Sequence, residues 1–207
     1  MRRVFFDLDG TLLDSRCRLF TLFSDLLPGH GLSMEEYWNL KRAKVSHETI
    51  VVETLGLPLQ RWARFRLEWL ALIETPKYLA LDSPFEGVDQ MLRKLRGNGL
   101  SLYLATSRQF REETVQQIQR LGWPNLFTAV LVTRQRDDKA FTIRLAVPET
   151  SRRDIVVGDT EKDIECGASL GLTTIAVLSG FRNRESLEVH LPDHLFDKVT
   201  DIDFSAI

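Results

Sequence analysis

Apolar residues along this chain follow two rhythms. Residues 2–8 (RRVFFDL) form a short apolar run that ends in acidic positions, which predicts a buried strand. From about 16 to 74 the spacing turns helical. RCRLFTLFSDLL sets Leu19, Leu22, Phe23, Leu26 and Leu27 at helical intervals. Pro28-Gly29-His30-Gly31 stops that helix, and Ser33-Met34-Glu35-Glu36 reads as a capping box opening the next. Further helical stretches are predicted near 46–54 and 59–74, separated by Leu57-Pro58. Trp38, Trp62 and Trp69 fall in this segment and read as its small core, not as a platform for stacking bases.

Beyond Asp82-Ser83-Pro84-Phe85, strands and helices alternate. Helices are predicted over 86–97, 111–121, 139–146 and 161–170. Strands are predicted over 101–106, 129–133, 154–158 and 173–178, with an edge strand near 194–196. This alternation predicts an α/β fold, a Rossmann-like parallel sheet with helices on both faces and right-handed crossovers. The helical stretch is then an insertion placed directly after the first strand. An insertion there lies over the ligand-binding edge of such a sheet, which suits a lid.

Composition narrows the function classes. The 207 residues carry 27 Lys+Arg against 29 Asp+Glu, a net charge of −2, so the basic excess of a general nucleic-acid binder is missing. Ordinary proportions of hydrophobic (43%) and charged (27%) residues exclude disorder, collagen and coiled coil as overall descriptions. Cys17 and Cys166 lie far apart without metal-ligand spacing, and a reduced, cytoplasmic setting is expected. Asp7 and Asp9 break the opening apolar run well short of the about 7–15 residues of a secretory signal. No uncharged apolar stretch approaches the roughly 18 residues that a membrane span needs.

Chemistry gathers at the ends of the predicted strands. Asp7 and Asp9 follow the first strand, two apart, so their carboxylates repel unless a cation or proton lies between them. Gly10 then lets the backbone turn sharply. Asp159 follows the strand DIVVG, and Asp163 lies one turn into the next helix. Asp7, Asp159 and Asp163 form an oxygen-ligand set for a hard cation if their strands are neighbours; otherwise Asp159 and Asp163 only cap and charge a helix N-terminus. Thr106-Ser107 end an apolar strand and suit an anion. Lys139 opens a helix and offers a point charge for phosphate, although a lysine taken alone reads as solvated. Arg108, Arg111, Arg134 and Arg136 read as solvated, with Arg108 within reach of an anion.

The order of these elements carries a resemblance. DLDGT at 7–11, Thr106, Lys139 and GDTEKD at 158–163 resemble the haloacid dehalogenase superfamily of phosphohydrolases over nearly the whole chain, most like its phosphoglycolate-phosphatase-like members. The resemblance implies a catalytic core over 1–14 and 82–207 and a helical cap over 15–81, hinged near 13–16 and 81–85. It implies Asp7 as the nucleophile that forms an aspartyl-phosphate and Asp9 as the general acid and base, with Asp9 lending its main-chain carbonyl to the metal. It implies Mg²⁺ bound by Asp7, Asp9 and Asp159 with Asp163 in support, and phosphate held by Thr106, Ser107 and Lys139. Three departures stand out: Ser107 where Asn is frequent, no proline after Lys139, and a short interval from Lys139 to Asp159. Asp9 favours phosphate esters, because a halide leaving group needs no proton.

In relatives with such a cap, a cap loop reads the leaving group. The candidate here is NLKRAKVSHETI (39–50), with Lys41, Arg42, Lys44 and His47 facing a carboxylate or second phosphate, or forming one solvated basic stretch. The reading is a Mg²⁺-dependent phosphatase for a small phosphorylated metabolite, with neither nucleic acid nor membrane as partner, and a monomer or weak dimer. A phosphomutase acting on a sugar phosphate and a non-catalytic phosphometabolite-binding module are the alternatives.

Overall fold

In the computed structural model, which describes residues 2–134 and 138–207, strand β1 (Arg3–Phe6) runs through the middle of the molecule. Val4, Phe5 and Phe6 are fully buried, so both faces of β1 are covered. The pleat divides them. Val4 and Phe6 join one apolar cluster, and Phe5 joins another on the opposite face. Continuous apolar runs of this kind are what a parallel sheet with two covered faces requires.

The remaining sheet strands are β4 (Ser101–Thr106), β5 (Ala129–Val132), β6 (Ile155–Gly158), β7 (Thr173–Val177) and β8 (His194–Phe196). Two short strands, β2 (Leu13–Asp14) and β3 (Ser83–Pro84), pair antiparallel outside the sheet. The six-stranded sheet has the order β5-β4-β1-β6-β7-β8, parallel throughout. Chain direction across the sheet reverses between β1 and β6, and open α/β sheets bind ligands outside the strand ends at that point.

Helices α1 (Arg16–Leu26), α2 (Met34–Arg42), α3 (His47–Thr49), α4 (Leu59–Leu72) and α5 (Pro76–Leu79) lie between β2 and β3. A π-helical turn (Ile50–Thr54) continues α3. These elements bury a cluster of their own, in which Leu22, Phe23, Tyr37, Ile50 and Phe65 are fully enclosed. Trp38, Trp62 and Trp69 pack against it, as their spacing led one to expect. The capping box is present: Ser33 Oγ accepts from Glu36 N at 3.2 Å, and Glu36 accepts from Ser33 N at 2.8 Å. The sheet is flanked by α6 (Val88–Gly97), α7 (Arg111–Arg120), α8 (Lys139–Ala146), α9 (Glu161–Leu170) and α10 (Arg184–Glu188).

The first strand is shorter than the run 2–8. Asp7 N still donates to Val157 O at 2.9 Å, but by Gly10 the backbone has turned, with φ of 89°. The β2–β3 pair, α5 and α10 had no sequence signal, being too short to show a period. Among the described residues, no helix is long and apolar enough to cross a membrane.

Candidate active site

Because β4, β1 and β6 are neighbours and parallel, their carboxyl ends open on one edge. Asp7 follows β1, Thr106 closes β4, Thr133 follows β5 and Asp159 follows β6. A cleft of about 1140 Å³ opens there, lined by Asp7, Asp9, Thr106, Ser107, Thr133 and Lys139. Leu19, Lys41, His47 and Trp69 from the helical segment line it too.

Lys139 stands at the start of α8, whose N-cap Asp138 accepts from Ala140 N. Its side chain is buried, unlike a solvated surface lysine, and Nζ donates to Asp7 Oδ1 at 2.7 Å and to Asp163 Oδ1 at 2.5 Å. Asp163 accepts at its other oxygen from Thr160 N (3.1 Å) and Oγ1 (2.7 Å). Asp163 therefore caps α9, as one of the two sequence readings has it, and also holds Lys139.

Asp159 is completely buried. It accepts from Thr11 Oγ1 at 3.1 Å and from Phe181 N at 2.6 Å. Glycine surrounds it: a Cβ on Gly10 would come within 2.5 Å of its carboxylate, and one on Gly180 within 2.0 Å. Burial, with Asp7 and Asp163 nearby, drives the Asp159 carboxyl well above its ordinary range. Burial also pushes Asp7 up to about 7, against the opposing pull of Lys139. Two buried carboxylates that each disfavour the other's charge fit a hard cation. Mg²⁺ takes one or two carboxylates and keeps several waters. Asp7 and Asp159 are the side chains suited to hold it; among the described residues no three acidic, imidazole or thiol groups converge on one point.

Asp9 lines the same cleft but keeps different partners. It accepts from Ser15 Oγ at 2.7 Å, from Arg18, and from Arg108 Nε (2.8 Å) and Nη2 (2.7 Å). Burial opposes ionisation, but the Arg108 and Arg18 charges outweigh it and hold the Asp9 carboxyl well below the usual range. Asp82, between α5 and β3, faces the same arginines, with Arg18 Nε at 2.9 Å and Arg108 Nη2 at 3.2 Å. The expectation of a solvated Arg108 is thus corrected. It is 3% exposed, because the carboxylates of Asp9 and Asp82 and the Gln117 amide supply the partners that water would otherwise provide. Arg111 and Arg134 are exposed as expected, and Arg136 lies outside the described residues.

The cap candidates part company. His47 lines the cleft, but its Nε2 lies 2.8 Å from Tyr37 Oη and its ring packs on Trp69, so burial keeps it neutral. Arg42 donates to the Leu178 carbonyl at 3.4 Å, and Lys44 pairs with Glu161 at 2.8 Å. Ser107 is exposed on the cleft wall. Several residues were not singled out beforehand. Arg18 sits in the apolar stripe of α1 with Leu22 and Leu26, and a cation in such a stripe was its signal. Thr133 follows AVLV as Thr106 follows SLYLA. Arg182, Gly180 and Glu74 had no local signal.

Comparison with known proteins agrees with this geometry. Residues 4–177 match the family model of the haloacid dehalogenase-like hydrolases. A phosphoglycolate phosphatase of Synechococcus elongatus is 27% identical over 209 residues, 98% of this chain and 95% of that one. An N-acetylmuramic acid 6-phosphate phosphatase of Pseudomonas aeruginosa is 26% identical over 200 residues, 92% of this chain and 87% of that one. The crystal structure of a Clostridium difficile protein superposes with a TM-score of 0.78 at 22% identity, covering 100% of this chain and 98% of that one, which is a likeness of fold. With the sheet order, the strand-end carboxylates and the buried lysine in place, this chain belongs to the haloacid dehalogenase-like hydrolase family.

Proposed function

We propose that this chain is a Mg²⁺-dependent phosphatase that hydrolyses a small phosphorylated metabolite through an aspartyl-phosphate on Asp7. The observation that carries the reading is the contact of Lys139 Nζ with Asp7 Oδ1 at 2.7 Å, at the strand edge that Thr106 and Asp159 share. That contact holds Asp7 against a cation that also attracts an anionic phosphate. Relatives named as phosphatases support the same reading.

In the first step an Asp7 carboxylate oxygen attacks phosphorus as the bond to the leaving oxygen breaks. Asp9, ionised between Arg18 and Arg108, must first take up a proton, from water or the phosphate monoanion, and then gives it to that oxygen. In the second step Asp9 takes a proton from water as the water attacks phosphorus, and Asp7 is released with inorganic phosphate. Thr106 and Lys139 hold the phosphoryl oxygens, with Ser107 on the same wall. Asp9 is clamped by Arg18 and Arg108, so its proton transfers require it to exchange an arginine contact for the substrate oxygen. Asp7, the Asp9 main-chain carbonyl and Asp159 would hold Mg²⁺, with Asp163 in support. When bound, the metal supplies charge neutralisation that lets an anionic carboxylate meet an anionic phosphate. The helical segment, residues 15–81, serves as the cap, and Leu19, His47 and Trp69 are the parts of it that reach the cleft.

The test is phosphate release from a panel of metabolite monoesters, with Mg²⁺ and with EDTA, by the wild type and Asp7→Asn. Metal-dependent release should fall by about 10³-fold or more in Asp7→Asn. Undiminished turnover in that variant would overturn the reading.

A further inference from the structure

A hydroxyl shut away from bulk water costs free energy unless it finds a hydrogen-bond partner. The buried threonines of this chain divide on that point. Thr11 Oγ1 donates to Asp159 Oδ1 at 3.1 Å, and Thr114 Oγ1 to the Phe110 carbonyl at 2.8 Å. Thr173 Oγ1 donates to the Arg152 carbonyl at 2.8 Å, and Thr174 Oγ1 to Asp193 Oδ2 at 2.9 Å. Thr106 and Thr133 are each 2% exposed, yet among the described residues no protein group pairs with either hydroxyl. Both line the cleft. Thr106 already holds a phosphoryl oxygen in the proposed reaction, and Thr133 has no part in it.

Sheet register places Thr133. Thr106 pairs with Val132, and Thr133 N donates to the Thr106 carbonyl at 3.1 Å, so the parallel ladder runs on through Thr133. Side chains alternate along a strand, so Thr133 shares a face with Leu131, two positions earlier. Leu131 packs in one cluster with Phe5 of β1 and with Ala140 and Ile143 of α8. Asp7 lies two positions after Phe5, and Lys139 opens α8. Asp7, Thr133 and Lys139 therefore gather at one end of one sheet face, where Lys139 Nζ already lies 2.7 Å from Asp7 Oδ1. Thr106 has the parity of Leu104, which packs on the opposite face, so the two hydroxyls flank the strand edge from different sides.

We propose that Thr133 is a further phosphoryl-binding residue, whose hydroxyl donates a hydrogen bond to a non-bridging oxygen of the substrate phosphate on the side of Lys139. The proposal rests on the phosphatase reading for the seat of the phosphate beside Asp7. A phosphoryl group in transfer spreads its charge over three equatorial oxygens. A hydroxyl fixed at a buried strand end meets such an oxygen without reorganising. Lys139 divides its donors between Asp7 and Asp163, whereas Thr133 has no protein partner among the described residues to give up when phosphate enters.

The experiment is calorimetric titration of orthophosphate, with Mg²⁺ present, into wild type, Thr133→Val, Thr133→Ser and Thr106→Val. Valine keeps the branched shape without the hydroxyl, and serine keeps the hydroxyl. Thr133→Val should bind orthophosphate about tenfold or more weakly, as expected on losing a hydrogen bond to a charged group. Thr133→Ser should stay near wild type. Urea unfolding without phosphate tells binding from a structural role. A hydroxyl with no partner in the chain loses nothing on removal, so the Thr133→Val midpoint should match or exceed that of wild type. Unchanged affinity in Thr133→Val, an equal loss in Thr133→Ser, no binding by wild type, or a lower urea midpoint for Thr133→Val overturns the proposal. A loss in Thr106→Val with none in Thr133→Val overturns it while the phosphatase reading stands. Persisting turnover in Asp7→Asn is the separate result that overturns that reading.

Discussion

Asp159 has no room to move. Gly10 and Gly180 lie against its carboxylate, and Thr11 Oγ1 and Phe181 N fix both oxygens. Gly180 lies outside the left-handed region, so alanine there is tolerated by the backbone and isolates the steric effect of one methyl group. A Cβ placed 2.0 Å from the Asp159 carboxylate must displace it. Gly180→Ala is therefore expected to raise the Mg²⁺ concentration for half-maximal phosphate release by about 10–100-fold, the usual cost of disturbing the surroundings of a metal ligand. A Mg²⁺ titration of turnover checks it. An unchanged midpoint would mean that Asp159 does not hold the metal.

At the scale of elements, one buried carboxylate staples the starts of two neighbouring strands. Asp154, just before β6, accepts from Arg3 N (3.1 Å), Nε (2.9 Å) and Nη2 (2.8 Å), and from Ser151 N (3.0 Å). Burial opposes its ionisation, but these donors outweigh that and hold its pKa below the ordinary value. A carboxylate with a depressed folded-state pKa binds its proton less readily in the folded chain than in the unfolded one. Its stabilisation is complete above the unfolded value, about 3.9, and is lost as pH falls through the lower folded value. Arg3 is partly exposed, so Asp154→Asn should cost about 1–2 kcal/mol near pH 7. Urea unfolding of both proteins should show that difference shrinking below about pH 3.9. A pH-independent difference would assign it to packing.

The whole molecule is tied together by charge at its crossing points. The helical segment leaves the sheet through β2 and returns through β3, and the pairing of these strands sets both passages side by side. There Arg18, brought by α1, reaches Asp9 from the sheet edge and Asp82 from the return passage, and Arg108 reaches the same two acids from the end of β4. All four side chains are largely buried, so removing one strands the others in a low-dielectric site. Arg18→Met is expected to lower the unfolding free energy by about 3 kcal/mol or more. Tryptophan fluorescence can follow the unfolding, since Trp38, Trp62 and Trp69 report on the helical segment and Trp123 on the sheet. If Arg18→Met unfolds at the parental denaturant concentration, this ion cluster does not contribute to joining the two parts.

The sheet strands, the long helices and the acidic positions at strand ends were legible in the sequence, because each depends on residues near one another in the chain. An apolar run such as IVVG, the capping box at Ser33 and the turn at Gly10 are local matters of burial period and backbone freedom. The motif order likewise singled out Asp7, Asp159 and Lys139 before any contact was known. Charge pairing was not legible, because it depends on partners distant in sequence. Arg108 reads as a surface residue until Asp9, 99 positions away, is brought beside it. Lys44 points to Glu161 and Lys41 to the cleft, although both lie in one basic stretch and differ only in which neighbours the fold supplies. Sequence by itself determined where apolar surface is hidden and where the backbone turns, since those choices are made within a few residues. Only the tertiary structure decided which buried charges are paired and with what, because a charge's partner is set by packing and not by its neighbours along the chain.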